Sequence, residues 1–394
     1  SEMCIRDSGL SVTSGPTVSG STSAGTVQAR WSSVPTHGLG SSAGSPKWSV
    51  ISCGARSMAT SRGIGARVCA YVAASRGRVT STRSLDGVDV VFHEAAYGGY
   101  MPEIAKFVHV NAYGTALMLE TIRDRNLPIR KVVLASSQAV YDEGAYACPE
   151  HGSFFGAPRS TARLEAGDFF MHCPICGESS LPIPTNEEAP IGGRNVYAIS
   201  KFTQERLLLT GGEATGIPVT ALRYSCTYGP RQSVFNPYTG VIAIFCTRLV
   251  NGLAPVVYED GHQSRDLIFA ADVARANLLA ATDARSDGLV MNVGTGQAVE
   301  IGDLARLLAA RLGVEVEPSL PGTFRPGEMR ALVSGTEKIS ALGFVPEVDL
   351  ETGIGRYRDW IASQGTIAEY FGAAERSLKR KRIVRNASRI VPAS

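Results

Sequence analysis

Two residues, Tyr197 and Lys201, have the types and the spacing of a proton-transfer pair. The segment around them, from Asn195 through Phe202 to Leu209, has the apolar spacing of a buried helix. Four residues apart on a helix, the phenol and the ammonium lie on one face. A neighbouring ammonium favours the phenolate and lowers the phenol pKa from about 10 toward neutral pH. Tyr197 is therefore a candidate general acid and base, although ordinary amphipathic helices also carry such pairs by chance.

From Leu85 onward, strand-like and helical patterns alternate around this helix. The strand-like runs are residues 88–93, 131–135 and 219–224. A helical segment, residues 104–125, lies between the first two runs. Such alternation predicts a Rossmann-like α/β fold with a doubly wound parallel sheet, whose ligands bind at the carboxyl ends of the strands. His93, Ser137 and Tyr224 fall at such ends, so we expect them to lie along one rim of the sheet.

Composition and charge argue against several classes of protein. Apolar residues make up 44% and charged residues 19% of the 394 residues, as in ordinary globular proteins. A net charge of +3 gives no basis for nucleic-acid binding. No apolar run reaches the ~18 residues of a membrane span, and the first residues lack the apolar core of a signal peptide. We therefore expect a cytoplasmic protein without a membrane partner.

The stretch between Tyr141 and Tyr197 exceeds the usual strand-to-helix connection and carries a candidate metal site. It contains two pieces of the form Cys-Pro-x-ligand-Gly, at residues 148–152 and 173–177. Pro and Gly favour a tight turn that directs both ligands to one side. Three cysteines and one histidine form the closed set that structural zinc prefers, with no position left for a reactive water. The four candidate zinc ligands are Cys148, His151, Cys173 and Cys176.

A zinc ion here would pin a lid-like loop beside the substrate pocket. The alternative is a loop that holds reduced cysteines and a histidine without a metal. The eight cysteines are unevenly placed along the chain, which indicates metal binding or reduced thiols rather than a disulfide framework.

The first 84 residues differ in composition from the rest. About half of the residues from Ser1 to Thr60 are Ser, Thr or Gly, without a sustained period. We interpret residues 1–84 as a low-complexity segment, either disordered or misassembled, in place of a first Rossmann unit. Residues 61–65, Ser-Arg-Gly-Ile-Gly, could form a phosphate-cradling turn that leads into a helix over 66–72. They lack a convincing strand before them and an acidic residue about 20 positions later.

The remaining motifs resemble those of the extended short-chain dehydrogenase/reductase family, in its NAD-dependent epimerase/dehydratase group, which acts on nucleotide sugars. The resemblance extends from Leu85 to about Gly365. A subset of sugar epimerases in this group looks similar in having the cysteine-rich insertion. The motifs that carry the resemblance are 91–96 (Val-Phe-His-Glu-Ala-Ala), Asn111, 136–141 (Ser-Ser-Gln-Ala-Val-Tyr), Tyr197 with Lys201, 222–231, 259–266, 292–296 and 325–328.

The resemblance implies a role for each matched residue. Ser137 would hydrogen-bond the reacting sugar hydroxyl, and Tyr197 would take its proton while the neighbouring carbon gives a hydride to the nicotinamide. Lys201 would hold the nicotinamide ribose and lower the pKa of Tyr197, and Asn111 would orient this relay. The residues expected to contact NAD are His93, Ala95, Asn111, Ser136, Tyr197 and Lys201.

Three arginines, Arg231, Arg265 and Arg325, resemble residues that lie near the nucleotide diphosphate in this family. Guanidinium groups suit phosphate oxygens because they stay charged and donate in a planar fork. Each of them could instead form only a surface salt bridge. The implied partner is a nucleotide-diphosphate sugar, and a homodimer is possible because members of the family often pair.

The reaction type follows from a departure within the motif. Dehydratases of the family carry Asp-Glu directly after the catalytic hydroxyl residue, whereas this chain has Gln138 and Ala139. We therefore expect an NAD-dependent epimerase that acts at C4 of a dTDP- or UDP-hexose through a 4-keto intermediate. One alternative is a nucleotide-sugar 4-reductase. Another, favoured by the unrecognisable glycine loop, is a catalytically dead or truncated chain or a zinc-pinned binding module.

These inferences give a domain organisation. An NAD-binding Rossmann-like domain is expected over residues 85–225, with the zinc-knuckle insertion at 142–194. A smaller C-terminal substrate-binding part, interleaved with the sheet, is expected over 226–365. Residues 366–394 form a basic tail, which we interpret as a solvated helix or a frayed end rather than a segment that binds anionic membranes.

Overall fold

The computed structural model describes residues 85–98, 103–234, 236 and 240–388, together with the backbone of residues 59–60 and 67–70. Six strands form the central sheet, in the spatial order 59–60, 67–70, 90–93, 131–137, 219–224 and 290–293. The strands are β1 (Ala59–Thr60), β2 (Arg67–Ala70), β3 (Val90–His93), β4 (Lys131–Ser137), β5 (Ala145–Cys148), β6 (Gly152–Phe155), β7 (Leu181–Ile183), β8 (Val219–Tyr224), β9 (Cys226–Tyr228), β10 (Ser264–Arg265), β11 (Leu267–Phe269), β12 (Val290–Val293), β13 (Val299–Glu300), β14 (Thr323–Phe324), β15 (Ala331–Leu332) and β16 (Arg385–Asn386).

Helices connect these strands. The α-helices are α1 (Ile104–Phe107), α2 (Gly114–Asp124), α3 (Thr161–Glu165), α4 (Val196–Thr215), α5 (Val241–Leu249), α6 (Ala270–Thr282), α7 (Ile301–Leu312), α8 (Glu337–Ser340), α9 (Leu350–Ala362) and α10 (Phe371–Arg380). Residues Val108–Tyr113 form a π-helical segment between α1 and α2, and two 3₁₀ turns cover Gln138–Val140 and Ala284–Ser286. In the described part of the chain, no helix is both long enough and apolar enough to cross a membrane.

The parallel sheet predicted from the sequence is confirmed. Strands β2, β3, β4, β8 and β12 are parallel to their neighbours, and β1 adds an antiparallel pair to β2. All seven residues of β4 are buried, as expected for a central strand covered on both faces. Residues Val132 and Leu134 pack with α2 and α4 on one face, while Val133 and Ala135 pack with α6 and α8 on the other.

One expectation for the first 84 residues is wrong. Residues Arg67–Ala70 form a strand, whereas the sequence suggested that a helix begins at residue 66. Val68 lies opposite Val90, so this strand continues the parallel sheet beyond β3. The alternation of Arg67-Val-Cys-Ala70 is too short to distinguish a strand from a helix, and pairing with β3 decides the outcome. The glycines of residues 61–65 lie outside the described residues.

The helix predicted around Tyr197 is present as α4. Asn195 caps its N-terminus by accepting a hydrogen bond from the backbone N–H of Ala198 at 2.9 Å. The helix ends at Gly216, whose φ of +70° is the left-handed conformation that glycine adopts readily. The prediction placed its last residue near Leu209, and the additional turns include Gly212, where a Cβ atom would lie 2.5 Å from the Cγ2 of Val219. The absence of a side chain at Gly212 therefore lets α4 pack closely on β8.

The insertion and the C-terminal segments form separate small layers. The insertion folds as a three-stranded sheet in the order β6-β5-β7. A second apolar core, built from α5, α7, α9 and the β9–β11 pair, lies beyond the sheet. The expectation of a solvated or frayed tail is wrong as far as Ser388, because Phe371 and Leu378 of α10 are buried and the backbone N–H of Ser388 donates to the carbonyl of Glu165 at 2.7 Å.

Candidate active site

A cavity of about 240 Å³ lies at the carboxyl end of β4, beside the N-terminus of α4. Ser137 and Tyr197 line it together with Arg265 and Arg325, so the structure brings together most of the predicted catalytic and substrate-binding residues. Arg231, by contrast, is exposed in the turn after β9 and lies outside the lining of this cavity. The cavity therefore joins the hydroxyl groups of the predicted relay to two of the three predicted diphosphate-binding arginines.

Ser137 is positioned by its own backbone. It is the last residue of β4 and is 1% exposed. Its Oγ accepts a hydrogen bond from the backbone N–H of Ala139 at 3.1 Å, which caps the 3₁₀ turn Gln138–Val140. This bond occupies an acceptor position of the hydroxyl, so its hydrogen and its remaining lone pair are available to a ligand.

Tyr197 and Lys201 lie four residues apart on α4, and both are buried. The Nζ of Lys201 donates to the Oε1 of Gln204 at 2.9 Å. The Nε2 of Gln204 in turn lies 2.9 Å from the Oγ1 of Thr115 and 3.0 Å from the Nε2 of His93. Sequence reasoning missed Gln204, although its spacing of seven from Tyr197 and three from Lys201 places all three on one face of the helix.

His93 is fully buried at the end of β3 and contacts Thr115 at 2.7 Å. Burial and the positive charge of Lys201 lower the pKa of His93 to about 3. The imidazole is therefore neutral near pH 7. It contacts Gln204, the residue that accepts the hydrogen bond of Lys201. Ala95, another predicted cofactor contact, accepts a hydrogen bond at its backbone carbonyl from Gln204 at 3.3 Å.

Asn111 lies in the π-helical segment and connects it to α4. Its Nδ2 donates to the Oγ of Ser200 at 2.8 Å and to the carbonyl of Tyr97 at 2.9 Å, and its Oδ1 accepts from the backbone N–H of Tyr97 at 2.7 Å. Ser200 also donates to the carbonyl of Tyr197 at 2.8 Å. Asn111 is fully buried, so this amide fixes the first turn of α4. Short π-helical segments often occur at functional sites.

Ser136 faces away from the cavity. Its hydroxyl donates to the carboxylate of Glu205, which also forms a two-fold ion pair with Arg223 at 3.0 and 2.8 Å. Arg223 also donates to the hydroxyl of Tyr141, which donates to Asn292. These buried bonds tie α4 to β4 and β8, beneath the residues that line the cavity. Nothing in the spacing of the sequence indicated this network.

Glu328 lies between the two arginines of the cavity. One carboxylate oxygen accepts from Arg265 at 2.8 Å and the other from Arg325 at 3.4 Å. The guanidinium of Arg325 also lies 4.8 Å from the ring centre of Tyr258. Glu259 also lines this cavity, so two carboxylates balance the two guanidinium groups, whose planar sets of N–H donors suit phosphate oxygens.

The insertion reaches this region through Arg159, whose side chain is 1% exposed. Its guanidinium donates to Glu259 at 2.9 Å, to Glu143 at 3.3 Å and to the backbone carbonyl of Glu328 at 2.8 Å. Glu259 also pairs with Arg330 at 2.9 Å. Desolvation is the largest effect on the Glu143 carboxyl and raises its pKa, although Arg159 opposes this. The insertion therefore contacts the loop of Glu328, whose carboxylate pairs with Arg265 and Arg325.

The four predicted metal ligands converge within the insertion. Their ligand atoms all lie within 4.8 Å of one another. The Sγ of Cys148 lies 3.6 Å from the Nδ1 of His151 and 3.7 Å from the Sγ of Cys176, and the Sγ of Cys173 lies 3.7 Å from the same nitrogen. A tetrahedron with metal–sulfur bonds of about 2.3 Å has edges of about 3.7 Å. Three of the six distances between ligand atoms thus match the edges of such a tetrahedron, and the three cysteines are free thiols.

Glycine makes both turns of this cluster possible. Gly152 and Gly177 have φ of +72° and +78°, which side-chain-bearing residues rarely adopt. In the second turn, the backbone N–H of Gly177 donates to the carbonyl of Cys173 at 3.0 Å, and that of Ile175 lies 3.5 Å from its Sγ. This confirms the tight turns expected from the repeated Cys-Pro-x-ligand-Gly pattern.

Comparison with known proteins places the chain in a family. The model of the NAD dependent epimerase/dehydratase family matches residues 45–161 and 173–294. The match begins 40 positions before Leu85, so it includes part of the segment that we interpreted as low-complexity. The gap in the match, residues 162–172, falls within the insertion. The chain therefore belongs to the NAD-dependent epimerase/dehydratase family.

Relatives with assigned activities resemble most of the chain. A dTDP-L-rhamnose 4-epimerase of Burkholderia thailandensis is 34% identical over 282 residues, which cover 70% of this chain and 76% of that protein. The structure of a UDP-glucose 4-epimerase of Thermotoga maritima with UDP-glucose is 27% identical, with a TM-score of 0.56 over 70% of this chain and 78% of that one. The UDP-glucose 4-epimerase of Thermus thermophilus, in complex with NAD, is 26% identical, with a TM-score of 0.53 over 71% and 78%.

Proposed function

We propose that this protein is an NAD-dependent nucleotide-sugar 4-epimerase that inverts C4 of a dTDP- or UDP-hexose. The observation that carries the proposal is the shared cavity, in which Ser137 and Tyr197 lie with Arg265 and Arg325. The relatives named above act on dTDP-L-rhamnose and UDP-glucose. A diphosphate that binds the two arginines would extend its sugar toward the two hydroxyl groups.

The described residues fit a nicotinamide at the rim of the sheet. Lys201 and Asn111 are buried, and their hydrogen bonds reach the carboxyl end of β3, from Lys201 through Gln204 to His93 and from Asn111 to Tyr97; ligands of a parallel sheet bind at such ends. When bound, NAD would accept the hydride of the sugar C4 and return it to the opposite face. The residues that would hold the nicotinamide end are Tyr197, Lys201 and, through the helix that it orients, Asn111.

The chain's own groups would manage the proton of the reacting hydroxyl. Ser137 would hydrogen-bond this hydroxyl, and the phenolate of Tyr197 would accept its proton as the carbonyl forms. The ammonium of Lys201, held by Gln204 at 2.9 Å, would stabilise the phenolate. When the hydroxyl is regenerated, Tyr197 would return the proton. Because the residues after Ser137 are Gln138 and Ala139, the site offers no carboxylate there for elimination of water.

We also propose that Cys148, His151, Cys173 and Cys176 bind a structural zinc. The interatomic distances of 3.6–3.7 Å support this, because they match the edges of a zinc tetrahedron. All four ligands come from the protein, so the metal would be structural rather than catalytic. Arg159 connects the insertion to Glu259 and to the loop of Glu328, so the zinc would hold one wall of the substrate cavity.

One assay tests the epimerase function. Purified protein is denatured to measure released NAD per protomer, and native protein is incubated with dTDP-L-rhamnose or UDP-glucose without added nicotinamide nucleotide. We expect bound NAD and the appearance of the C4 epimer by NMR. Turnover that requires stoichiometric NADH or NADPH would instead identify a reductase. Absence of both bound NAD and turnover, also after NAD is added, would contradict the proposal.

Removal of the metal tests the zinc site. We expect about one zinc per chain by elemental analysis, and a lower melting temperature and higher KM after treatment with a chelator. The Cys173→Ser variant should show the same changes without a chelator, and Cys246→Ser, in a buried position outside the insertion, serves as the control for zinc content. Unchanged stability and turnover after the zinc has been removed would contradict the structural role.

A further inference from the structure

Directly after Ser137, the chain places a buried amide at the cavity. Gln138 is 6% exposed and lines the cavity together with Ser137 and Cys226. Its Nε2 donates to the Sγ of Cys226 at 3.3 Å. Its Oε1 is buried and has no hydrogen-bond partner among the residues that the structure describes. A buried acceptor without a partner is destabilising, so one at a cavity indicates a ligand that donates a hydrogen bond.

The backbone of Gln138 is held firmly. It begins the 3₁₀ turn that Ser137 caps; Val140, which ends this turn, and Tyr141, which follows it, are 0% and 1% exposed. The hydroxyl of Ser137 and the amide of Gln138 therefore start from fixed, adjacent points at one wall of the cavity. Two polar groups placed in this way can contact neighbouring groups of one ligand.

The hydrogen-bond partner of the amide, Cys226, is a neutral group. Burial raises the pKa of the Cys226 thiol, so this partner stays protonated near pH 7. A thiol forms only weak hydrogen bonds, and a glutamine amide does not titrate. The pair of Gln138 and Cys226 can therefore recognise a ligand but cannot take or give a proton during the reaction.

We propose that Gln138 is a specificity-determining residue, which accepts a hydrogen bond from a sugar hydroxyl next to the one that Ser137 contacts. This inference rests on the proposed function, because it requires a sugar in the cavity. A pocket that leaves a buried acceptor unpaired strongly disfavours a sugar that lacks the matching hydroxyl. Gln138 would thus select among hexoses, while Arg265 and Arg325 would bind the part of the ligand that all nucleotide sugars share.

Binding measurements on two variants of the full chain test this assignment. Gln138→Met keeps the length of the side chain but removes both polar atoms, and Gln138→Glu keeps an acceptor. We expect Gln138→Met to lose roughly tenfold in affinity for dTDP-L-rhamnose by calorimetry while its affinity for dTDP stays unchanged. Gln138→Glu should bind dTDP-L-rhamnose more tightly than Gln138→Met. The same comparison is made with UDP-glucose and UDP.

Three results would overturn the inference, and they are distinguishable. Wild-type affinity of Gln138→Met for both nucleotide sugars would show that the amide does not contact the sugar. Equal losses for the sugars and for the free nucleotides would show that Gln138 only maintains the fold of the cavity. A wild-type protein that binds neither nucleotide sugar would contradict the proposed function itself, and the inference with it.

Discussion

At the scale of single residues, the candidate relay depends on a glutamine that holds a lysine. Lys201 is buried and donates to Gln204, which also contacts Thr115 and His93. A buried ammonium is costly unless its hydrogen bonds are satisfied, so Gln204 stabilises the charge of Lys201 that the proposed relay requires. The neutral imidazole of His93 adds no competing positive charge.

Removal of the Tyr197 hydroxyl tests the relay. We expect Tyr197→Phe to lower kcat by roughly 10²–10⁴-fold, because the sugar hydroxyl loses its proton acceptor, while the melting temperature and the NAD content stay close to wild type. The control is Tyr113→Phe, which alters a phenol that is half exposed on the π-helical segment. Turnover is measured by NMR. Retention of substantial activity by Tyr197→Phe would contradict the assigned role.

His93 predicts a pH dependence of stability. Its pKa is about 3 in the folded protein against an ordinary value of 6.5, so the unfolded chain binds an additional proton between these values. Its contribution is fully present above pH 6.5 and is lost as the pH falls toward 3. Between pH 6 and pH 5, the free energy of unfolding should fall about 1 kcal/mol more in wild type than in His93→Asn. Urea unfolding at both pH values measures this, and equal slopes would contradict the burial of a neutral imidazole.

At the scale of elements, the insertion is tied to the substrate cavity by buried charges. Arg159 lies between Glu143 and Glu259, and their side chains are 1%, 5% and 3% exposed. Its bond to the carbonyl of Glu328 reaches the loop whose carboxylate holds Arg265. Movement of the insertion would therefore displace the guanidinium of Arg265 in the cavity.

Substitution of Arg159 should affect both stability and substrate binding. Arg159→Met leaves the buried carboxylate of Glu143 without a cation and Glu259 with Arg330 alone, and we expect a loss of roughly 3–5 kcal/mol in the free energy of unfolding. Arg159→Lys keeps the charge and should retain part of this stability but raise KM more than it lowers kcat, because the bond to Glu328 is lost. Unfolding in urea and steady-state kinetics measure both effects.

A second arginine of the insertion provides the control. Arg163 pairs with Asp168 at 2.8 Å, and about a third of each side chain is exposed. Because such a pair is screened by solvent, Arg163→Met should cost at most about 1 kcal/mol. Equal losses for the Arg159 and Arg163 variants would show that the buried network has no special role.

The elements that carry a strong local pattern were predictable from the sequence. The strand endings at His93 and Ser137, the helix that carries Tyr197 and Lys201, and the turns around Gly152 and Gly177 follow from apolar spacing and from turn residues. The packing partners were not predictable, because contacts such as Arg223 with Glu205 and Arg159 with Glu259 join residues far apart in the chain. Arg231 was expected beside the diphosphate because of its motif, but the structure places it outside the cavity.

At the scale of the whole molecule, one parallel sheet positions both halves of the site. The hydroxyl groups proposed to be catalytic come from β4 and α4, whereas the arginines of the cavity come from β10 and the loop after β14. The sequence before Leu85 was the least informative, and yet residues 67–70 join the sheet next to β3. A short segment can form a strand because it pairs with a neighbouring strand, here β3, and the composition of the segment does not reveal this pairing.

The tight turns of the cysteine-rich insertion have a thermodynamic consequence for the unfolded chain. All four ligands come from the single stretch of residues 148–176, so a bound metal would close a loop within the insertion alone. Like a covalent crosslink, it would reduce the conformational entropy of the unfolded state, for a loop of this length by an amount worth roughly 3–4 kcal/mol. A loop that is already closed loses less entropy on folding, so the metal would add to the stability that the buried bonds of Arg159 give the insertion.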